Sequence, residues 1–147
     1  SYGLHILIRT DLEIALLEQG LAVQDLPDEW NQRYGQLLGV QPACDAEGCL
    51  QDVHWSEGLF GYFPSYLLGH LISAQLSEAM ETEIGSPEEH IAAGDVTPML
   101  GWLRQNVHGV GRALNAEDLV QQVTGRPLDS SAFLRHLTAK LNRLATL

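Results

Sequence analysis

Apolar side chains recur at helical spacing along most of this chain, and no run alternates for long enough to indicate a strand. In the first segment Leu4, Ile8 and Leu12 fall on one face of a helix, and Gly20 is a typical stop for it. With 147 residues the chain is long enough for one domain with one core. The spacing therefore predicts a single all-α region over residues 1–147, with about seven helices and no internal repeat.

Residues with capping preferences mark the ends of several predicted helices. Asp25 stands where an N-cap would open the second helix. Ser86 and Glu89 have the spacing of a capping box in front of a short helix. Further along, Asn115 is placed to open a helix that Gly125 closes. These signals are local and need no knowledge of the tertiary structure.

Helical spacing fails over residues 40–58, where proline, glycines and short polar residues take over. It resumes near Pro64 and continues to about Glu83. Two neighbouring helices do not need so long a connection, and long ordered loops often carry function. The sequence therefore predicts one long functional loop between two helices.

The chain is strongly acidic, with 19 Asp and Glu residues against 8 Lys and Arg, and a formal net charge of -11. Its basic residues are scattered, so phosphate backbones and anionic membrane surfaces would be repelled. We therefore expect neither a nucleic-acid partner nor a membrane partner, and solubility explains the acidity. No stretch approaches the apolar length of a membrane span, and the N-terminus lacks the pattern of a secretory signal.

Cys44 and Cys49 are the two cysteines of the chain. A disulfide between them is one interpretation, but two free thiols in a reducing compartment are favoured, which predicts a cytoplasmic protein. A zinc site built on them would need two further ligands at a matching spacing, and the sequence has no second cysteine pair.

The general signatures of hydrolases and nucleotide-dependent enzymes are absent from the sequence. It contains no H-E-x-x-H, no P-loop, no G-x-S-x-G and no dinucleotide fingerprint. None of the six histidines stands four residues from another. A hydrolase built from this chain alone would therefore be unconventional.

Residues 51–55 place an amide, a carboxylate, an imidazole and an indole next to one another. Asp52 is placed to orient His54, as carboxylates orient imidazoles in metal sites. His54 has the chemistry to bind a substrate carboxylate when protonated, or to donate a proton to an intermediate. The other interpretation is an ordered loop with a buried Trp55 and a hydrogen-bonded His54, and composition alone favours it.

An aromatic segment follows at residues 58–66, where Gly58 and Gly61 flank an apolar pair ahead of Tyr62 and Phe63. Aromatic side chains beside glycines suit the wall of a pocket. The Tyr62 hydroxyl near such a wall has the chemistry to stabilise an oxyanion. Aromatic packing at the entrance of a helix explains the same residues equally well.

The segment GCLQDVHW resembles the G-x-x-Q-D-x-H-W signature of the carboxypeptidase Taq family of metallocarboxypeptidases. Every specified position matches, namely Gly48, Gln51, Asp52, His54 and Trp55. The downstream segment GYFPSYLLGHLISAQL resembles the family continuation G-Y-F-P-T-Y-x-L-G-x-x-x-A-A-Q. The stretches before the loop and toward the C-terminus are also similar, so the resemblance covers nearly the whole chain.

The resemblance implies helical, zincin-like carboxypeptidases that remove amino acids one at a time from peptide C-termini. In such proteins an H-E-x-x-H helix supplies two histidine ligands and the catalytic glutamate, and a later glutamate completes the zinc site. This chain resembles their C-terminal third only. The family's I-R-x-x-A-D motif would precede Ser1, and Ile8-Arg9 does not match it, because Leu12 and Glu13 replace its Ala and Asp.

The resemblance also implies roles for the loop residues. His54 and Gln51 are expected to contact the C-terminal end of the peptide, and Asp52 is expected to orient His54. Tyr62 is expected to face the reacting carbonyl group. His54 and Tyr62 are thus the candidate catalytic residues, and Gln51, Asp52, His54 and Tyr62 are the candidate substrate-binding residues. Trp55 and Phe63 are expected to support them by packing.

Zinc is the cofactor that the resemblance implies for the full-length parent, and none is expected in this chain, which should be inactive alone. A local metal site of His54, Glu57 and His70 is disfavoured because His70 lies on the next helix. The expected partners are peptide C-termini, a metal-binding N-terminal part and a second copy in a homodimer. The rival interpretation is a non-catalytic, acidic helical module that binds peptides or a partner protein.

Overall fold

The computed structural model describes residues 2–146, which form seven α-helices and contain no strand. The helices are α1 (Tyr2–Glu18), α2 (Leu26–Leu38), α3 (Phe63–Ile84), α4 (Pro87–Ala92), α5 (Thr97–Leu103), α6 (Ala116–Thr124) and α7 (Ser131–Ala145). The predicted all-α fold is therefore confirmed. Among the helices of residues 2–146, none has the combination of length and apolar character that crossing a membrane requires.

Most of the predicted helix ends lie where the cap signals put them. The Ser86 side chain accepts a hydrogen bond from the Glu89 backbone N–H at 3.3 Å, and Asn115 accepts one from Asp118 at 2.9 Å. Gly125 ends α6 in the left-handed conformation, with φ of 73°. Asp25 does stand at the N-cap position of α2, but the predicted capping by its side chain is wrong, because that side chain makes no capping hydrogen bond.

The reason for the difference at Asp25 lies in the backbone before α2. A 3-10 turn at Val23–Asp25 runs directly into the helix, so Asp25 has φ of −93° and ψ of −5°. A capping side chain needs an extended backbone at the N-cap position to reach the first free N–H groups. The helical conformation of Asp25 takes its carboxylate away from them.

A π-helical segment at Arg104–His108 follows α5 directly, and no sequence signal predicted it. The segment ends at Gly109, whose backbone N–H donates to the Arg104 carbonyl at 2.8 Å. A Cβ atom at this glycine would lie 2.9 Å from the same carbonyl oxygen. The absence of a side chain at residue 109 therefore permits the wide turn to close.

The chain divides into two compact units, residues 2–68 and 69–146. The core of the first unit joins α1 and α2 to the loop that follows them. One cluster of its buried residues consists of Ile8, Leu12, Trp30, Tyr34 and Cys49, and Leu21, Leu26, Leu38 and Trp55 pack against it. This packing attaches the long loop to the two helices before it. That residues 1–147 form a single helical region remains a prediction.

A fully buried glutamine organises the second unit. The Gln75 amide on α3 donates to Thr124 Oγ1 at 3.0 Å and to the Pro127 carbonyl at 3.0 Å. Its carbonyl oxygen accepts from the Asp129 backbone N–H at 3.2 Å. Gln75 thus holds the connection between α6 and α7 against α3 and satisfies its buried polar groups.

Replacing Gln75 by leucine is expected to lower the free energy of unfolding by about 2–3 kcal/mol, because the Asp129 N–H and the Pro127 carbonyl lose their partner. Urea unfolding of the 147-residue chain measures the difference. Gln121→Leu, on the exposed face of α6, is the matched control and should change the value by less than about 0.5 kcal/mol. Equal effects of the two substitutions would contradict the role given to Gln75.

Candidate functional site

Four polar side chains from three parts of the first unit form a hydrogen-bonded series. Arg9 of α1 donates through Nε to Asp52 in the loop. Asp52 contacts His54 Nδ1 through its other carboxylate oxygen at 3.2 Å. His54 Nε2 lies 3.1 Å from the hydroxyl of Tyr66 in α3. The series therefore connects a helix, the long loop and the next helix.

The partners of His54 determine where its proton lies in the neutral ring. An ionised carboxylate only accepts hydrogen bonds, so the Nδ1 that faces Asp52 carries the proton. Nε2 is then the acceptor, and the Tyr66 hydroxyl donates to it. The side chains of Asp52 and His54 are only 14% and 19% exposed, so water competes weakly for these hydrogen bonds.

Arg9 is held by more than its ion pair with Asp52. Its Nη1 donates to the Tyr34 hydroxyl at 2.6 Å and to the His5 backbone carbonyl at 3.0 Å. The guanidinium lies over the Trp30 ring, 4.9 Å from its centroid, in a cation–π arrangement. Every one of these partners restricts the direction in which Arg9 meets Asp52.

Aromatic rings surround the imidazole of His54. Phe63 is buried, and its ring centroid lies 4.6 Å from that of His54. Tyr62 lies 6.1 Å from His54 and 5.3 Å from Tyr66 between centroids. The Tyr62 side chain is half exposed, and its hydroxyl makes no hydrogen bond within residues 2–146. The aromatic segment therefore packs around the imidazole and also presents one free hydroxyl.

Glu13 holds the loop on the other side of this aromatic cluster. Its carboxylate, in a residue only 6% exposed, accepts from Trp55 Nε1 at 2.7 Å and from the backbone N–H of Gly61. Gly61 has φ of 71°, a conformation that favours glycine. Trp55 also contacts Phe63 edge to face, with centroids 5.9 Å apart. A single carboxylate on α1 thus ties together two points of the loop.

Two cavities lie on the surface of the first unit, and both are lined by His5 and Arg9. The first has a volume of about 290 Å³ and is lined by Tyr2, His5, Ile6, Arg9, Asp52, His54, Phe63 and Tyr66. The second has a volume of about 300 Å³, and Gln51 lies at it with Trp30 and Tyr34. The hydrogen-bonded series therefore faces the first cavity, and Gln51 faces its neighbour.

The charges and burial of this region shift three pKa values. Burial and the nearby Arg9 lower the pKa of His5, so its neutral form is favoured. Burial raises the pKa of the Tyr34 hydroxyl, against the opposing effect of Arg9. Loss of hydration raises the pKa of Tyr66, and the neighbouring Tyr62 raises it further by a smaller amount. Both tyrosines therefore keep their hydroxyl protons as hydrogen-bond donors near neutral pH.

The structure brings some of the predicted site residues together and separates others. Asp52 contacts His54, as the sequence predicts, and Tyr62 lies beside the same imidazole. Gln51 is exposed at the second cavity and does not line the cavity of His54. The roles given to these four residues in binding and catalysis remain predictions.

Two polar residues of this cluster were not assigned by sequence reasoning. The sequence gives Arg9 no role, because Ile8-Arg9 does not match the I-R-x-x-A-D motif. It is, however, the only Lys or Arg among the first 32 residues, within a strongly apolar helix, and this is a usable signal. In the sequence Tyr66 is part of an aromatic run, and nothing local distinguishes its hydroxyl from that of Tyr62.

The described residues do not form a metal centre of their own. Within residues 2–146, no three His, Cys, Asp or Glu side chains are grouped so that they could hold a metal ion. The combination of His54, Glu57 and His70 is therefore not such a group. Both ring nitrogens of His54 already contact protein groups, Asp52 and Tyr66. These residues do not fit the implied zinc, and we assign them no step that passes through a metal.

Known proteins resemble this chain along nearly its whole length. Thermostable carboxypeptidase 1 of Thermus thermophilus is 43% identical over 140 residues, which make up 95% of this chain and 28% of that protein. Carboxypeptidase 1 of Bacillus subtilis is 40% identical over 144 residues, or 98% of this chain and 29% of that protein.

Solved structures show the same similarity in three dimensions. The crystal structure of M32 carboxypeptidase from Deinococcus radiodurans R1 superposes with a TM-score of 0.92 at 37% identity, over 99% of this chain and 30% of that one. The chain thus spans about 28% to 30% of the length of these relatives. The family model of the carboxypeptidase Taq (M32) metallopeptidases matches residues 1–141. This chain belongs to the carboxypeptidase Taq (M32) metallopeptidase family.

Proposed function

We propose that this chain is the C-terminal, substrate-recognition part of a zinc-dependent metallocarboxypeptidase that releases amino acids from peptide C-termini. The observation that carries the proposal is the cavity lined by Arg9, Asp52, His54 and Tyr66, in a chain whose relatives are carboxypeptidases. A cavity of about 290 Å³ is at the lower end of the size of small-ligand pockets, and the end of a peptide suits it.

The polar groups of the cavity have the chemistry to recognise an anion. In the neutral ring, His54 Nε2 takes the hydrogen bond of the Tyr66 hydroxyl. In the protonated ring both nitrogens donate, so Nε2–H donates to the Tyr66 oxygen and the Tyr66 proton turns toward the cavity. The Tyr66 hydroxyl therefore presents its proton to a terminal carboxylate or to a developing oxyanion, and the positive charge of the protonated His54 ring lies behind it. Phe63 gives the same cavity an apolar wall.

The proposed site also includes Gln51 and Tyr62, which lie in different places relative to His54. Gln51 lies at the second cavity, which shares the walls of His5 and Arg9 with the first. A peptide end that occupies both cavities would meet the Gln51 amide and the His54 imidazole on the two sides of Arg9. The role given to Tyr62, whose ring centroid lies 6.1 Å from that of His54, is to meet the reacting carbonyl group.

The remaining parts of the proposal concern groups outside this chain. Zinc would be held by the H-E-x-x-H helix of the parent protein, where it would polarise the carbonyl group and activate water. The chain alone would then bind a peptide end without cleaving it. We also propose a homodimer and a cytoplasmic location, and the two free thiols of Cys44 and Cys49 support the latter.

A comparison of two peptides tests this function. The full-length, zinc-loaded protein is expected to release single amino acids in sequence from a peptide with a free C-terminal carboxylate. Removal of that charge should weaken recognition, so the same peptide with a C-terminal amide should be cleaved at least about tenfold more slowly. Mass spectrometry of the shortened peptides measures both rates. Internal cleavage, or equal rates for the two peptides, would contradict the proposal.

A further inference from the structure

Arg9 stands at the start of the hydrogen-bonded series although it is 43 residues away from Asp52 in the sequence. Its side chain is 16% exposed, and it lies in α1, outside the loop that carries Asp52 and His54. In the described chain, residues 2–146, no other Lys or Arg makes an ion pair with Asp52. The direction of the Asp52 carboxylate is therefore set by a helix of the core and not by the loop itself.

The geometry around Arg9 leaves its guanidinium little freedom. Nη1 is shared between the Tyr34 hydroxyl and the His5 carbonyl, at 2.6 Å and 3.0 Å. The guanidinium carbon lies over the Trp30 ring, 4.9 Å from its centroid. With Nη1 engaged in this way, Nε donates to one oxygen of Asp52, and the other oxygen meets His54 Nδ1. A planar group with several donors in a rigid fork makes all these contacts at once, whereas an ammonium group has no such geometry.

The direction of Asp52 has a chemical consequence at the far end of the series. With one carboxylate oxygen held by Arg9, the other keeps the proton of neutral His54 on Nδ1. Nε2 is then available to exchange a hydrogen bond with Tyr66 at the cavity. If Asp52 turned away, the ring could take its other tautomer, or rotate, and Nε2 would no longer be the acceptor for Tyr66.

We propose that Arg9 is a positioning residue of the active centre, which acts through Asp52 to fix the orientation and tautomer of His54. The inference rests on the proposed carboxypeptidase function, because it assigns Arg9 a part in that reaction. Arg9 does not itself have to touch the substrate. Although Arg9 also lines the cavity, the role proposed for it passes through the imidazole, and this dependence distinguishes it both from a residue that merely stabilises the fold and from one that contacts the substrate directly.

A double-mutant cycle for turnover tests the proposal in the full-length, zinc-loaded protein. Arg9→Met keeps the length of the side chain but removes its charge and donors. We expect it to lower kcat by about 10–100-fold, the usual effect of losing a partner that orients a functional histidine. In a protein that already carries His54→Ala, the same Arg9→Met substitution should lower kcat by less than about threefold, because the imidazole that it positions is gone.

Two further variants keep the test decisive. Arg9→Lys restores the positive charge beside Asp52 but not the fork, so its kcat should lie between those of the wild type and Arg9→Met. Arg33→Met removes another partly buried arginine, which pairs with Glu29 at 2.8 Å outside the series, and should leave kcat within about twofold. Unfolding temperatures of all variants show how much of each loss reflects an unfolded fraction.

The outcomes separate this inference from the function on which it rests. If His54→Ala leaves kcat unchanged, the proposed function of the site fails. If His54→Ala lowers kcat but Arg9→Met does not, the role of Arg9 fails alone. If Arg9→Met lowers kcat equally with and without His54, Arg9 acts through general stability or by direct contact with the substrate, and the proposal is overturned. A loss that appears only when His54 is present supports it.

Discussion

Replacing His54 by alanine is expected to lower kcat of the full-length, zinc-loaded protein by about 10²–10⁴-fold, the contribution of a well-placed acid or base. The imidazole connects Asp52 to Tyr66, so its removal also leaves the Tyr66 hydroxyl without the group that directs its proton. Initial rates on a peptide with a free C-terminus measure kcat and KM. Because His54 is proposed to act on the substrate and not on the metal, the zinc content should be unchanged.

His108→Ala is a suitable control for this experiment. His108 is an exposed histidine in the second unit, at the end of the π-helical segment, and should leave kcat within about twofold. Loss of zinc from the His54 variant would indicate a metal ligand and contradict the assigned role. An unchanged kcat would remove His54 from the active centre altogether. Metal content and turnover measured on the same samples distinguish the two results.

Replacing Glu13 by alanine is expected to lower the free energy of unfolding by about 3–5 kcal/mol. The substitution leaves two donors without an acceptor, the Trp55 indole N–H and the Gly61 backbone N–H. Each lost hydrogen bond to a buried carboxylate is worth about 1.5–3 kcal/mol, and a small cavity adds to the cost. Urea unfolding of the 147-residue chain, followed by tryptophan fluorescence, reports both the stability and the environment of Trp55.

Glu18→Ala provides the comparison for Glu13 on the same helix. Glu18 is exposed at the end of α1 and makes no hydrogen bond through its side chain within residues 2–146, so its removal should cost less than about 0.5 kcal/mol. If Glu13→Ala were as mild as this control, the loop would be held by its apolar packing alone. A large loss for Glu13 only would show that one carboxylate in α1 supports the loop that carries Asp52 and His54.

The predictions for His54 and Glu13 concern two different parts of the loop and its contacts with α1. His54 belongs to the series that faces the first cavity, whereas Glu13 holds the loop from the side of Trp55 and Gly61. Arg9 and Glu13 both project from α1, four residues apart, and contact the loop at Asp52 and at Trp55. One helix turn of α1 therefore positions the loop through one positive and one negative side chain.

Several features of this protein follow from the sequence by itself. The spacing of apolar residues determines the helices, because a side chain repeats its direction about every 3.6 residues whatever lies opposite. Ser86 and Asn115 cap their helices through contacts three residues away, which a linear pattern contains. The motif from Gly48 to Trp55 also places Asp52 close enough to His54 for a hydrogen bond, since only one residue separates them.

Only the tertiary structure decides which partners complete the site. Arg9 meets Asp52 across 43 residues, Trp55 meets Glu13 across 42, and no periodicity in the chain relates such positions. The same holds for Gln51, which the motif places beside Asp52 but which the backbone turns toward the other cavity. Local steric and hydrogen-bonding preferences depend on residues that are neighbours in the sequence, whereas the direction of each loop side chain depends on the packing of α1 and α2 beneath it.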